Sequence, residues 1–365
     1  MHAITLTSMT GYKMGHAGLD RGIADLIQQA GNGDHPDLIA ELITTALKLN
    51  RDGPDRGELK LFNSALKEMR YSSKVFRSYG EVPKVTIFGS ARTSPEDPDY
   101  RLAHDFARHM WRERGWMVVT GAGGGIMEAG NRGAGQEGSF GVNIRLPFEA
   151  GANAYVPDNR LINFKYFFTR KLGFVKESHA FAIFPGGFGT MDETFELLTL
   201  VQTGKAPIQP IVLMETGDSY WSTWQGFVTD RLLGDGMISP EDLGLYKVTS
   251  RIEEAADEIC RFYSNYHSQR YIDGRLVIRL RHVPTGDQVK SLNEEFGDAI
   301  TEGRIERVGP HEFEVRDQDA LDCARLRMTF DRRKVGRLRR LVDRINSFAY
   351  PAPGFEGPLP RPLTN

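Results

Sequence analysis

Residues 180–200 read Ala-Phe-Ala-Ile-Phe-Pro-Gly-Gly-Phe-Gly-Thr-Met-Asp-Glu-Thr-Phe-Glu-Leu-Leu-Thr-Leu. The apolar run from Phe181 to Phe184 predicts a short buried strand, and Pro185 ends it. Gly186, Gly187 and Gly189 permit a tight turn that a bulky residue would strain. From Thr190 onward, Phe195, Leu197, Leu198 and Leu200 suit an amphipathic helix. Strand, glycine loop and helix in succession aim several backbone N–H groups and the positive end of a helix dipole at one point. An anion, above all a phosphate, is the natural occupant. A plain glycine turn is the alternative. Thr190-x-x-Glu193 also fits a capping box, in which Glu193 would be structural.

Outward from this stretch the chain alternates strands and helices. Residues 82–88 predict a first strand, followed by Gly89-Ser90-Ala91-Arg92. Residues 98–113 predict a helix with Leu102, Phe106, Ala107 and Met110 inward, and residues 116–120 a second strand. A second glycine loop, 121–125, contains Gly123 and Gly124 and opens a helix to about residue 136. Beyond it, 139–144 predicts a strand, 146–159 a loop, 163–177 a helix, 208–214 a strand and 221–233 a helix. The pattern predicts an α/β fold, a doubly wound parallel Rossmann-like sheet. Ligands of such sheets sit beyond the carboxyl ends of the strands, so Ser90, Gly123, Gly124 and the 186–190 loop share one crevice. The 121–125 spacing departs from the Gly-x-Gly-x-x-Gly fingerprint, and no acidic residue is clearly placed for the ribose of NAD. A mononucleotide therefore fits better than a dinucleotide.

Pro185 to Glu193 spell Pro-Gly-Gly-x-Gly-Thr-x-x-Glu, and one helix upstream stands Phe167-Phe168-Thr169-Arg170-Lys171. In these residues the chain resembles the LONELY GUY (LOG) family, once labelled lysine decarboxylases, over roughly residues 82–265. It looks most like a longer bacterial branch with Phe-Phe-x-Arg-Lys, in which Phe168 replaces the histidine of the plant enzymes. The resemblance implies hydrolysis of the N-glycosidic bond of nucleoside 5′-monophosphates, AMP or related nucleotides including cytokinin ribotides, to free base and ribose 5-phosphate. It implies catalytic roles for Glu193 and Arg170, no cofactor, and a homodimer or larger assembly. Gly186, Gly187, Gly189 and Thr190 would hold the 5′-phosphate, with Ser90, Gly123, Gly124 and Lys171 as further substrate contacts. Family members also use an acidic residue from further upstream, for which Glu149 is the candidate, a solvent-facing loop glutamate being the alternative. The chemistry suits a carboxylate near C1′, because departure of the base leaves positive charge on the ribose ring. The dipole of the helix opened by the loop would keep Glu193 ionised. Arg170 has a plainer alternative as the partner of a surface carboxylate.

The flanks carry no such signature. Residues 1–18 predict an irregular arm. Residues 19–80 predict helices, the third over about 58–79 with Leu61, Ala65, Leu66, Met69, Val75 and Phe76 buried. Residues 263–271 predict a linker to a separate small α+β appendage over 272–350. In it, 275–282 predicts a strand, 288–300 a helix, 304–308 and 312–315 a hairpin, 324–330 a strand and 335–348 a basic helix. The proline-rich 351–365 predicts a disordered tail. Arg332, Arg333, Lys334, Arg337, Arg339 and Arg340 form either a solvated face or a site for an anionic regulator.

The 365 residues carry a net charge of −2, which gives no reason to expect nonspecific nucleic-acid binding. No apolar run is long enough to predict a membrane span, and the first residues lack a signal-peptide pattern. Two cysteines, Cys260 and Cys323, stand apart without metal-ligand spacing, so no metal site is expected and a reducing cytoplasm is the predicted compartment. Two other functions remain open on sequence. One is a noncatalytic nucleotide-binding or carrier protein on the same fold. The other is a lysine decarboxylase, which needs a pyridoxal cofactor on a Schiff-base lysine, with only Lys171 to mark one.

Overall fold

The computed structural model describes residues 11–31, 33–144, 151–217, 219–350 and 358–359. The chain divides into two units, residues 1–67 and 68–365. The first holds α1 (Ala17–Ala30), α2 (Pro36–Asp52) and the start of α3 (Arg56–Arg77). His16 caps α1 by accepting from the Leu19 N–H, and Gly53 ends α2 in the left-handed conformation that glycine tolerates. Met14, Ile23 and Ala40 form its small core. The apolar stripes lie largely outside that core: Leu26, Leu38, Ile39 and Leu42 are exposed, as are Leu66 and Met69 of α3.

The second unit begins with the end of α3, where Phe76 is buried and stacks on Phe140 at 4.6 Å. It is built on β1 (Lys84–Phe88), α4 (Pro98–Arg112), β2 (Met117–Thr120), α5 (Ile126–Gly138), β3 (Ser139–Ile144), β4 (Leu161–Phe164), α6 (Phe167–Glu177), β5 (Ala180–Ile183), α7 (Phe188–Gln202), β6 (Ile211–Met214), α8 (Tyr220–Phe227), β7 (Lys247–Thr249) and α9 (Ile252–Phe262). The seven strands form one parallel sheet in the order β4-β3-β2-β1-β5-β6-β7. Every residue of β1, β2, β5 and β6 is buried, because helices cover both faces. The chain reverses its direction of winding between β1 and β5, and the loops after these two strands open side by side.

Two strands of this sheet escaped the sequence reading. Strand β4 occupies the expected start of a helix, because Phe164, Phe167 and Phe168 imitate helical spacing across the turn at Lys165 and Tyr166. Strand β7 has only three residues, too few for any period to show. Residues 145–150, which include Glu149, lie outside the described residues.

The C-terminal part differs more. The expected linker is instead β8 (Tyr266–Ile272), paired with β9 (Arg275–Leu280). The chain continues through α10 (Gly286–Phe296), β10 (Ile300–Val308), α11 (Glu312–Asp317), β11 (Ala324–Phe330) and α12 (Val335–Asn346), and the strands form an antiparallel sheet in the order β10-β11-β9-β8. No hairpin joins 304–308 to 312–315: the second segment is α11, started by a capping box of His311 and Glu314. Glu314 is fully buried between two guanidinium groups, at 2.6 Å from Arg279 and 3.0 Å from Arg325. Burial works against its charge, but the His311 N–H and the two arginines outweigh it and hold the carboxyl below its ordinary range.

The basic cluster is largely spent within the fold. Lys334 and Arg337 meet Asp298, Arg333 meets Asp331, and the buried Arg339 meets Asp343 and Glu258. Neither a solvated face nor an anion site describes Arg339, which ties α12 to α9. Hydrophobic side chains of α12 and of the parallel sheet belong to one continuous core. At Pro358–Leu359 the expected disorder is also corrected. Leu359 is buried among apolar side chains, and the Pro358 carbonyl lies 3.1 Å from His267 Nε2.

Candidate functional site

The loops at the reversal point are stitched together by the backbone of one residue. The Ser90 N–H donates to the Pro185 carbonyl at 3.0 Å, and the Ser90 carbonyl accepts from the Ile126 N–H at 3.0 Å. So the loops after β1, β2 and β5 meet. Two glycines make this approach possible. A Cβ on Gly186 would lie 2.1 Å from Thr190 Oγ1, and one on Gly125, at φ +62°, would lie 2.3 Å from the Ser90 carbonyl.

Between these loops and α6 opens a crevice of about 750 Å³, within the range that takes a small ligand. Gly186, Gly187, Gly189, Thr190, Ser90, Arg170 and Glu193 all line it. Gly123 and Gly124 do not; Met127 of α5 takes the place they were expected to fill. What that glycine loop supplies is space at Gly121, where a Cβ would lie 2.4 Å from Arg170 Nη2. The sequence reading also missed Arg92, Phe167, Phe188 and Asp192 on the walls. Arg92 was legible as part of the loop after β1; Phe167 has the spacing of an apolar helix side, and Phe188, the variable position of the glycine motif, is 96% exposed.

Helix α7 begins at Phe188 with Gly187 as its N-cap, and no side chain caps it. Thr190 therefore lies inside the first turn and Glu193 in the second. The capping-box role considered for Glu193 does not exist, and its dipole argument weakens, because the dipole acts chiefly within the first turn. The uncapped N–H groups at the start of α7 face the same region as the glycines, an arrangement that favours an anion.

Helix α6 presents the cation. Its start is fixed by Glu68, which accepts from the Lys165 N–H at 3.1 Å and from Thr169 Oγ1 at 2.6 Å. Its buried side is Thr169, Gly173, Phe174, Val175 and Glu177, whereas Phe167, Phe168 and Leu172, which have the spacing of an apolar stripe, are exposed. Arg170 Nε donates to the Val142 carbonyl at 2.9 Å, and its guanidinium stands 5.3 Å over the Phe174 ring.

Lys171 turns toward α7 and does not itself line the crevice. Its ammonium lies 2.6 Å from Glu196, 2.9 Å from Asp192 and 3.3 Å from Glu193. Burial disfavours its charge, but the hydrogen bonds to Glu196 and Asp192 and the charge of Glu193 prevail and hold its pKa above that of an ordinary lysine. Glu193, 9% exposed, moves in the same direction for the opposite reason. Burial raises its pKa, and Lys171 and Arg170 recover only part of the shift. The distances explain both: one ammonium is shared among three carboxylates, and Glu193 has the longest contact. The site thus joins a carboxylate of raised pKa, an arginine locked by backbone and ring, and an anion-seeking helix start.

Residues 124–259 match a family model described as "Possible lysine decarboxylase". A probable cytokinin riboside 5′-monophosphate phosphoribohydrolase of Oryza sativa subsp. japonica is 30% identical over 100 residues, 27% of this chain and 46% of the relative. A cytokinin riboside 5′-monophosphate phosphoribohydrolase of Arabidopsis thaliana is 37% identical over 71 residues, 20% of this chain and 32% of the relative. The chain thus spans less than half the length of these curated relatives. Among solved structures, the molybdenum cofactor carrier protein of Chlamydomonas reinhardtii aligns with TM-score 0.36 and 18% identity, over 49% of this chain and 97% of that one.

Proposed function

The chain belongs to the LONELY GUY family through its central domain, and from that premise we propose that it hydrolyses the N-glycosidic bond of nucleoside 5′-monophosphates to free base and ribose 5-phosphate. The observation that carries this reading is the meeting of Glu193, Arg170 and the uncapped start of α7 in one crevice. In it, the 5′-phosphate seats against Gly186, Gly187, Gly189 and Thr190, where N–H groups and the helix dipole complement its charge. Arg170 fixes the nucleotide. Glu193 stands at C1′, offsets the positive charge that grows on the ribose as the base departs, and takes a proton from the attacking water. Ionised Glu193 is the working form. Its raised pKa therefore puts the acid limb of the rate profile above the ordinary carboxylate range, and activity falls as pH drops through it.

The decarboxylase description of the family model finds no support at Lys171. A Schiff-base lysine must lose its proton to attack a carbonyl. Three carboxylates within 3.3 Å hold this ammonium charged.

The test is a panel of nucleoside monophosphates set beside the corresponding nucleosides, following free base by chromatography. AMP or another monophosphate should be cleaved and adenosine hardly at all, since a nucleoside cannot use the binding energy of the phosphate loop. Equal rates on AMP and adenosine remove the phosphate from the loop. Binding of AMP without any release of base returns the carrier reading. We also propose a homodimer or larger assembly in a cytoplasmic setting. The family relationship and the exposed Phe167, Phe168 and Leu172 beside the crevice support the assembly. Light scattering should give a multiple of the 41.0 kDa chain mass; a monomer at micromolar concentration contradicts it.

A further inference from the structure

We propose that Tyr220 is a positioning residue for the phosphate loop, its hydroxyl setting the orientation of the peptide that joins Gly186 to Gly187. The proposal rests on the reading of that loop as the 5′-phosphate seat. Tyr220 lies outside the crevice, in the first turn of α8, and its hydroxyl donates to the Gly186 carbonyl at 2.5 Å. A trans peptide is planar, with its C=O and N–H pointing in opposite directions. Drawing the Gly186 carbonyl toward α8 therefore turns the Gly187 N–H away from α8.

The tyrosine is itself held firmly. The buried Glu215 carboxylate, just beyond β6, accepts from the N–H groups of Tyr220 at 3.0 Å and Trp221 at 2.9 Å. Trp221 is fully buried, donates from Nε1 to the Met214 carbonyl at 3.1 Å, and meets the Tyr220 ring edge-on at 4.9 Å. The end of β6 thus fixes the start of α8, and α8 fixes the loop after β5. On its other side Gly186 is confined by the Thr190 side chain and by the Ser90 N–H, which a Cβ would approach to 2.1 Å and 3.0 Å. A carbonyl gripped from one side and a Cα without room on the other leave the peptide one orientation. Its effect belongs to phosphate binding, equal in ground and transition states, and not to the chemical step.

Tyr220→Phe removes one oxygen and keeps the ring. With the full chain, KM for AMP and the inhibition constant of ribose 5-phosphate should rise together by about 3- to 10-fold, the range of one lost hydrogen bond. The kcat for AMP, the affinity for adenosine and the thermal midpoint should stay close to wild type. Unchanged KM for AMP and unchanged inhibition by ribose 5-phosphate overturn the proposal, as does an equal loss of affinity for adenosine. A variant that fails to fold also overturns it, by assigning the hydroxyl to stability. Failure of the underlying reading looks different: wild-type protein would then cleave no monophosphate and bind no ribose 5-phosphate, and the proposal would fall with it.

Discussion

Glu193→Gln lowers the rate of AMP hydrolysis by about 10²–10⁴-fold, the usual contribution of a proton-transferring carboxylate. Glutamine keeps the shape and loses the charge. A neutral amide cannot offset a cationic ribose ring or take a proton from water. The fold should hardly notice. Glu193 caps no helix, since α7 starts three residues before the position a capping box would require. Lys171 keeps Glu196 at 2.6 Å and Asp192 at 2.9 Å, so no buried cation is stranded. The substitution also relieves a buried carboxylate that burial already disfavours. Stability should change by less than about 1 kcal/mol. The check is kcat for AMP beside the thermal midpoint and the nucleotide affinity. A variant turning over at near wild-type rate takes the chemistry away from Glu193.

Lys171→Met has a different signature, because it removes the shared cation and leaves its three carboxylates together on α7. Glu193 and Glu196 then repel one another, as do Asp192 and Glu196 one turn apart. Asp192 and Glu196 are partly solvated, so the loss of stability at neutral pH should be about 1–3 kcal/mol, below that of a fully buried pair. The pH dependence has a definite sign. A carboxyl whose folded pKa stands above its unfolded value favours folding while protonated, and loses that contribution as pH rises through the folded value. Glu193 is such a group already, and without Lys171 its pKa rises further. The variant should therefore fall further behind wild type from acid to neutral pH and draw level as the cluster is protonated. Its residual activity should show an acid limb moved to higher pH. Thermal midpoints across pH and the kcat/KM profile measure both, and an unmoved acid limb contradicts the electrostatic role.

The parts of this account legible in the sequence are those with strong local signals. Strand β5, its glycines and Glu193 lie within fourteen consecutive residues, and the parallel sheet follows from short, largely apolar strands alternating with helices, a pattern that needs no partner to be read. What failed depended on neighbours distant in sequence. Phe167, Phe168 and Leu172 have the spacing of a buried stripe, but Thr169 and Gly173 face inward because Glu68 and Phe164 meet them there. The ion pairs of Lys171 were not legible, since nothing local reveals three acidic side chains one helix away. Strand β8 resembled a linker because His267, Ser268, Gln269 and Arg270 are polar, and the side chains that cover them come from later in the chain, such as Asp319 at 2.9 Å from Arg270. Glu314 could not be matched to Arg279 and Arg325 for the same reason.

The central claim is that the bond broken is the one between base and ribose. Its most direct test is product analysis after incubating the full chain with AMP, with the Glu193→Gln protein as control. The account predicts adenine and ribose 5-phosphate in equal amounts from the wild-type chain and neither from the variant. Adenosine with inorganic phosphate, or adenine released equally by both proteins, would contradict it.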